Sequence, residues 1–437
     1  MKYYCLGIKG AGMSTLSEIL YDLGNSVVGY DDVKTHVFTE EGLEKRNIKI
    51  YTDSSYKLDK DITVTYSAAF KEDHPEVLRV KESDAKVISY NELLGELTSM
   101  FETTCVSGTH GKTTTSMLIA NILKSTLGCN YFVGDGSGYA NKNNKLFVIE
   151  SCEYNKHFLA YHPYNTIITN LELEHVECYK DIDDIIDTFE IFANKSKNIV
   201  IACGDDSNIR KMNIVKKTIY YGFNDNNDVI AKNVVLNDSG SKFDVHINNE
   251  FYHTFNIPLY GKHMVLNALA TIALCNSYNI SPDIISNEFN NFVSPKRRFK
   301  ETVYNDIVVI DDYAHHPTEC KVTLEAARQK YPNKKLIAVF KPNTYSRTKA
   351  LWKDFVEALN IADEAYVTNI YCDREKQEEY PDITSDLIIN NLNNGHKISE
   401  ETVYTLLKYN NAVIVFMSCK NIYIMKEKYE ELLKNKI

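Results

Sequence analysis

The run SGTHGKTTT, Ser107 to Thr115, gathers residue types that hold phosphate. A short apolar strand over 103–106 leads into it, and a helix with Met117, Leu118, Ile122 and Leu123 on its apolar face follows. A loop that enters a helix in this way turns unsatisfied N–H groups toward an anion. Gly108, Thr109, His110, Gly111, Lys112, Thr113 and Thr114 are therefore candidates to cradle a triphosphate, with Lys112 at the β/γ-phosphates and the Thr113 hydroxyl on Mg2+. Val106 occupies the first glycine of a full GxxxxGK[ST] pattern, and a plain strand–turn–helix junction is the competing reading.

A second glycine loop, GIKGAGMS, spans Gly7 to Ser14 between a strand and a helix that Gly24 closes. Its GxxGxG spacing differs from the dinucleotide fingerprint GxGxxG, but Asp31 ends the next strand where an acid can meet a ribose hydroxyl. A second nucleotide, with NAD as one candidate, competes here with a structural turn. Metal ligands are sought at two further strand ends. Glu150 closes LFVIE, and Asn170 and His175 follow another strand in TNLELEH; carboxylate, imidazole and the Thr113 hydroxyl would share Mg2+. Late in the chain, three strands are followed by DDYAHHPTE (311–319), KPNTYSRT (341–348) and YCDREK (371–376). One of His315 and His316 is expected to serve chemistry and the other packing, and the planar fork of Arg347 suits a carboxylate.

These loops need a framework that brings strand ends to one edge. Short β-branched runs alternate with amphipathic helical stretches, the α/β pattern of open parallel sheets. Strands are expected at 3–6, 26–30, 62–66, 147–149, 166–169, 199–202, 307–310, 336–340, 364–368 and 412–416, with an antiparallel hairpin between about 224 and 258. Breaks near 97–102 and at VSPKRRF (293–299) divide the chain into domains of 1–98, 99–294 and 295–437. A length of 437 residues is too great for one ordinary core.

Composition narrows the function classes. The formal net charge of −10 argues against a nucleic-acid partner. Ten cysteines, none closer than 23 residues to the next, form neither a CxxC clip nor a disulfide framework and read as thiols of a reducing cytoplasm. No run approaches the ~20 apolar residues of a membrane span, so no membrane insertion is expected. Only eight of the 49 basic residues are arginine, and Arg297, Arg298 and Arg347 fall in candidate motifs.

The ordered set GIKGAGMS, GTHGKTTT, ESCEYNKHF, TNLELEH, YGKHMVLNA, KRRF, DDYAHHPTE and KPNTYSRT resembles the Mur ligase family over essentially the whole chain. The resemblance implies an N-terminal Rossmann-like UDP-binding domain, a central P-loop-like ATPase domain with a mostly parallel sheet, and a C-terminal Rossmann-like domain for the amino acid. It implies an ATP- and Mg2+-dependent ligase that joins L-alanine to the lactyl carboxylate of UDP-N-acetylmuramate through an acyl phosphate. Gly7, Gly10, Ala11, Gly12, Asp31 and Ser67 then contact the UDP-sugar, and His263 and Asn267 the adenine. Arg297 and Arg298 approach the phosphates, while Tyr313, His315 and Arg347 lie near the alanine. Lys112, Glu150, His175, Arg298 and His315 carry the catalytic roles, in a monomer or weak homodimer. The chain departs from the family pattern at Tyr30, Glu174, Asn343, Thr344 and the MSCKN loop at 417–421. A silent nucleotide-binding scaffold and an NAD-dependent oxidoreductase are the readings from other classes.

Overall fold

The computed structural model describes residues 1–37, 39–67, 69–175, 178–295, 297–372 and 375–436. Three sheets organise the chain. The first is wholly parallel, with strands in the order Lys49–Tyr51, Ser26–Tyr30, Lys2–Leu6, Ile62–Tyr66 and Lys86–Val87. Tyr4, Leu6, Ile62 and Val64 are buried between the sheet and its helices, so the β-branched and aromatic runs form the core. Strand order reverses between Lys2–Leu6 and Ile62–Tyr66, which places the Gly7 loop and Ser67 side by side at the carboxyl edge.

The second sheet is parallel through Thr218–Gly222, Ile199–Cys203, Asn165–Ile168, Glu102–Ser107, Leu146–Glu150 and Cys129–Phe132. The short strand Gly138–Tyr139 closes one edge in antiparallel sense. Because Glu102–Ser107 is central, the phosphate loop, Glu150 and the segment after Ile168 emerge together at one edge. The region expected as a hairpin forms three strands, Val229–Asn237, Gly240–Ile247 and Glu250–Ile257, since the alternating pattern runs back through Val229.

The third sheet has the order Lys300–Tyr304, Ile307–Asp312, Ala412–Met417, Lys335–Phe340, Glu364–Val367 and Gly395–Lys397. Its first strand pairs antiparallel and the others parallel. Two apolar layers sandwich it, one with Leu324, Phe340 and Phe355, the other with Phe416, Met425 and Tyr429.

The chain falls into two compact units. One comprises Met1–Lys232, Val245–His253 and Leu266–Phe292; the other comprises Asn233–Asp244, Thr254–Val265 and Val293–Ile437. The first sheet and the parallel strands of the second from Cys129–Phe132 to Thr218–Gly222 lie in one unit, and the helix Tyr90–Ser99 touches both: a Cβ at Gly12 would lie 2.6 Å from Tyr90 Oη. His162 N donates to Thr98 Oγ1 at 3.0 Å and Thr103 Oγ1 to Thr98 O at 2.7 Å, and a Cβ at Gly95 would lie 2.4 Å from Ala160 O.

Candidate active site

The phosphate loop leaves the strand Glu102–Ser107 and enters the helix Lys112–Thr126, with Lys112, Thr113 and Thr114 in its first turn. Gly108 has φ +125°, and a Cβ there would lie 2.1 Å from Thr169 Oγ1, a turn that glycine alone tolerates. The next strand end braces the loop. Asn170 Oδ1 accepts from His110 N at 2.9 Å, while Asn170 Nδ2 and Thr169 Oγ1 donate to His110 O at 3.0 and 2.6 Å. Thr109 Oγ1 accepts from Glu172 N at 2.9 Å. Asn170, read from the sequence as a metal-ligand candidate, thus has both ends of its amide committed to the loop backbone.

Lys112 folds back over the loop. Its Nζ donates to Gly108 O at 2.5 Å and Thr109 O at 2.9 Å, and pairs with Glu153 Oε2 at 2.9 Å. Burial works against the ammonium, but the Glu153 carboxylate, together with Cys152 and Glu150, outweighs it and the net shift is upward. The lysine is therefore held as a cation in a mostly desolvated loop. Thr113 Oγ1 donates to Glu150 Oε1 at 3.0 Å, and Glu150 Oε2 accepts from Gly134 N at 2.8 Å. His175 Nε2 lies 3.7 Å from Glu153 Oε1, with its ring edge-on to Tyr154. The expected metal set is thereby divided. Thr113 and Glu150 offer two adjacent hard oxygens, the donor type Mg2+ prefers, whereas His175 faces the partner of Lys112.

Glu153 is the residue that sequence reasoning passed over. It stands three positions after Glu150 in ESCEYNKHF, and its pairing with Lys112 arises only when the strand Leu146–Glu150 lies beside Glu102–Ser107.

In the first sheet, Gly7 N and Ile8 N donate to Tyr30 O at 2.8 and 3.2 Å, and Gly10 N to Gly7 O at 3.0 Å. Ala11 and Gly12 open the helix Ala11–Asp22, and Ser67 N donates to Leu6 O at 3.2 Å. Asp31 is buried; its Oδ2 accepts from Lys9 N at 2.9 Å and its Oδ1 from Val33 N at 3.0 Å. Its carboxylate fastens the glycine loop to the following segment, a role the ribose reading did not include. Tyr30, a departure from the family pattern, donates to Asp32 Oδ1 at 2.8 Å.

His263 and Asn267 sit one turn apart in the helix Lys262–Ser277, and so on one face. A Cβ at Gly111 would come within 2.8 Å of Asn267 Oδ1, so that amide lies against the phosphate loop. His263 Nδ1 is buried without a hydrogen-bond partner among the described residues, and burial pulls the imidazole pKa from 6.5 to about 4. The unfolded chain takes up this proton near pH 6.5, while the folded chain resists it until pH falls to about 4. Acidification through that window therefore favours unfolding. Urea titrations of His263→Gln are expected to show a shallower loss of stability across it than those of the unchanged chain.

The third sheet gathers its own group. Asp312 Oδ2 accepts from Phe299 N and Oδ1 from Ala314 N, each at 2.8 Å. Burial raises the Asp312 pKa, against a lowering by Arg298. His316 is the buried N-cap of the helix Pro317–Lys330, whereas His315 Nδ1 lies 3.0 Å from both Glu319 Oε2 and Tyr313 O. The adjacent histidines are thus divided between capping and the loop surface. Arg298 lies 3.9 Å from Glu319 Oε1 and 5.1 Å from the Tyr313 ring centre.

Arg297, expected near the ATP phosphates, is an internal tie in this structure. Its Nη2 donates to Ser418 O at 2.5 Å and Lys420 O at 3.3 Å, and its Nε lies 3.5 Å from Asp311 Oδ1. This one nitrogen holds two carbonyls of the MSCKN loop, which lacks glycine. Arg347 Nη1 donates to Asn343 O at 2.8 Å from the first turn of Tyr345–Leu359. Asn343 Nδ2 in turn donates to Tyr371 O at 2.9 Å, joining two of the expected loops. Asp373 and Arg374 of the YCDREK loop, and Lys296 of KRRF, lie outside the described residues.

Three family models match the chain in succession. These are the Mur ligase family catalytic domain over residues 2–102, the Mur ligase middle domain over 106–275, and the Mur ligase glutamate ligase domain over 297–418. A UDP-N-acetylmuramate–L-alanine ligase of Lacticaseibacillus paracasei is 40% identical over 431 residues, covering 99% of this chain and 98% of its own. Among solved structures, UDP-N-acetylmuramate-alanine ligase of Thermotoga maritima aligns over 100% of both chains with a TM-score of 0.83 at 24% identity. A murein peptide ligase of Psychrobacter arcticus aligns over 100% of this chain and 99% of its own, with a TM-score of 0.70 at 21% identity.

Proposed function

The chain belongs to the Mur ligase family, and from that membership we infer that it is an ATP-dependent UDP-N-acetylmuramate–L-alanine ligase of peptidoglycan precursor synthesis. The observation that carries the reading is the charged phosphate loop, with Lys112 held by Glu153 and Thr113 bonded to Glu150, in a chain that matches an alanine-adding relative along nearly its whole length. The domains are 1–98 for the UDP-sugar, 99–294 for ATP and 295–437 for the amino acid.

The reaction joins two anions before it makes an amide. A lactyl carboxylate oxygen of UDP-N-acetylmuramate attacks the γ-phosphorus of ATP, giving an acyl phosphate and ADP. The neutral amine of L-alanine attacks the acyl carbon, loses a proton, and inorganic phosphate leaves. Lys112 supplies fixed positive charge beside the phosphates, in a site where no solvent reorganisation is needed. Mg2+, held by Thr113 and Glu150, would neutralise phosphate oxygens when bound. His175 positions Glu153, and Arg298 adds positive charge on the amino-acid side. Tyr313, His315 and Arg347 receive the alanine, whose carboxylate matches the arginine fork.

We place the reaction in the cytoplasm and the enzyme as a monomer or weak homodimer, without nucleic-acid partners. Among the described residues, no helix is long and apolar enough to cross a membrane. A peptide-recycling ligase is the nearest rival. Incubation with ATP, Mg2+, UDP-N-acetylmuramate and alanine, glycine or serine, followed by mass spectrometry, is expected to yield the alanine adduct first. Product only with a preformed peptide would favour the rival. Alanine and glycine differ by one methyl, so the preference between them is expected at about 10- to 200-fold in kcat/KM.

A further inference from the structure

The helix that begins at the DDYAHHPTE loop ends on another part of the chain. This helix, Pro317–Lys330, carries Gln329 in its last turn. Gln329 Oε1 accepts from Gly261 N at 2.8 Å, while its Nε2 donates to Asn237 O at 3.0 Å and Gly240 O at 2.9 Å. One side chain thus satisfies three backbone groups of the strand turn and of the segment that precedes His263. The adjacent Lys330 lies 4.6 Å from the Tyr260 ring centre and pairs with Glu301 at 2.5 Å, and Tyr260 stacks on Phe299.

Gly261 is the point at which this clamp meets His263. It has φ +93°, and a Cβ there would lie 2.6 Å from the His263 ring and 3.6 Å from Ala326 of the same helix. The Gly261 backbone therefore runs between the helix and the imidazole, with no room for a side chain. His263 itself keeps a buried Nδ1 without a protein partner among the described residues. The imidazole therefore packs on a turn whose Gly261 N–H is held by Gln329, a side chain that two further hydrogen bonds fix in place.

We propose that Gln329 is a positioning residue for the nucleotide: it fixes the Tyr260–His263 turn so that the imidazole is already in place to meet the purine. The proposal rests on the reading of His263 as an adenine contact. It also makes the helix Pro317–Lys330 a shared support, with His315, His316 and Glu319 at its start and the nucleotide turn at its end.

The test is a titration of the full-length chain with a fluorescent ADP analogue, which does not require the ligase reaction. Gln329→Met keeps the side-chain volume and removes all three hydrogen bonds. It is expected to weaken ADP binding about tenfold, the scale of losing one or two net hydrogen bonds. His263→Ala is expected to weaken it comparably, and adding Gln329→Met to His263→Ala should cost less than about twofold more. In turnover, Gln329→Met should raise KM for ATP and leave KM for the UDP-sugar unchanged. Unchanged ADP affinity in Gln329→Met, or full additivity in the double variant, overturns the proposal. Gln329→Glu provides a second variant, since it keeps the acceptor for Gly261 N–H but sets a carboxylate against two carbonyls; binding as tight as in the unchanged chain would equally overturn it. If the unchanged chain bound ADP but made no alanine adduct, the ligase reading would fail while the clamp stood.

Discussion

Lys112→Ala is expected to lower kcat about 10^3-fold, the scale of removing one preorganised donor from a developing negative charge. The ammonium is positioned by two loop carbonyls and Glu153, so its charge is in place before the phosphates arrive. Water cannot substitute for it in a loop this buried. The glycine loop Gly7–Ser14, proposed for the UDP-sugar, belongs to a different sheet and is fastened by Tyr30 O and Asp31. Calorimetric affinity for UDP-N-acetylmuramate is therefore expected to change by less than about twofold. Loss of that binding together with turnover would show that the two sites are not separate.

Glu153→Ala is expected to be the most destabilising single change in the site. Glu153 is almost fully buried, and its removal leaves the Lys112 charge desolvated, hydrogen-bonded to the Gly108 and Thr109 carbonyls. Breaking a buried pair from one side costs about 3–5 kcal/mol, and the two carbonyls place this case near the lower end. Urea denaturation at neutral pH measures it. The double variant Lys112→Met/Glu153→Gln should recover part of the loss, because no buried charge is then left single. Equal losses in the single and double variants would mean that Glu153 acts through packing alone.

What could be read from the sequence was what lies close together in it. The candidate phosphate loop is one contiguous run with a strand before it and a helix after it, so its position was legible. The ten expected strands lie within one or two residues of the observed ones, because they carry short runs rich in buried apolar and β-branched residues. The edge strands Lys49–Tyr51 and Gly395–Lys397 carry no such run and left no signal. Pairings across the chain were illegible for a different reason. Glu153 faces Lys112, Asn170 braces His110, and Gln329 clamps Gly261, each across at least 41 residues of sequence. Asp31 shows the converse limit: its position at the strand end was clear, but the amides that occupy its carboxylate were not. Arg297 was picked out by arginine scarcity, and in the structure its Nη2 donates to two carbonyls of the MSCKN loop.

In the proposed function, this chain couples ATP cleavage to the joining of a UDP-sugar acid and an amino acid. Phosphate release, followed with ATP and Mg2+ while each other substrate is omitted in turn, tests it most directly. Release is expected only when UDP-N-acetylmuramate and L-alanine are both present, with one phosphate per amide formed. Release that persists without either of them, or that fails with both, would contradict it.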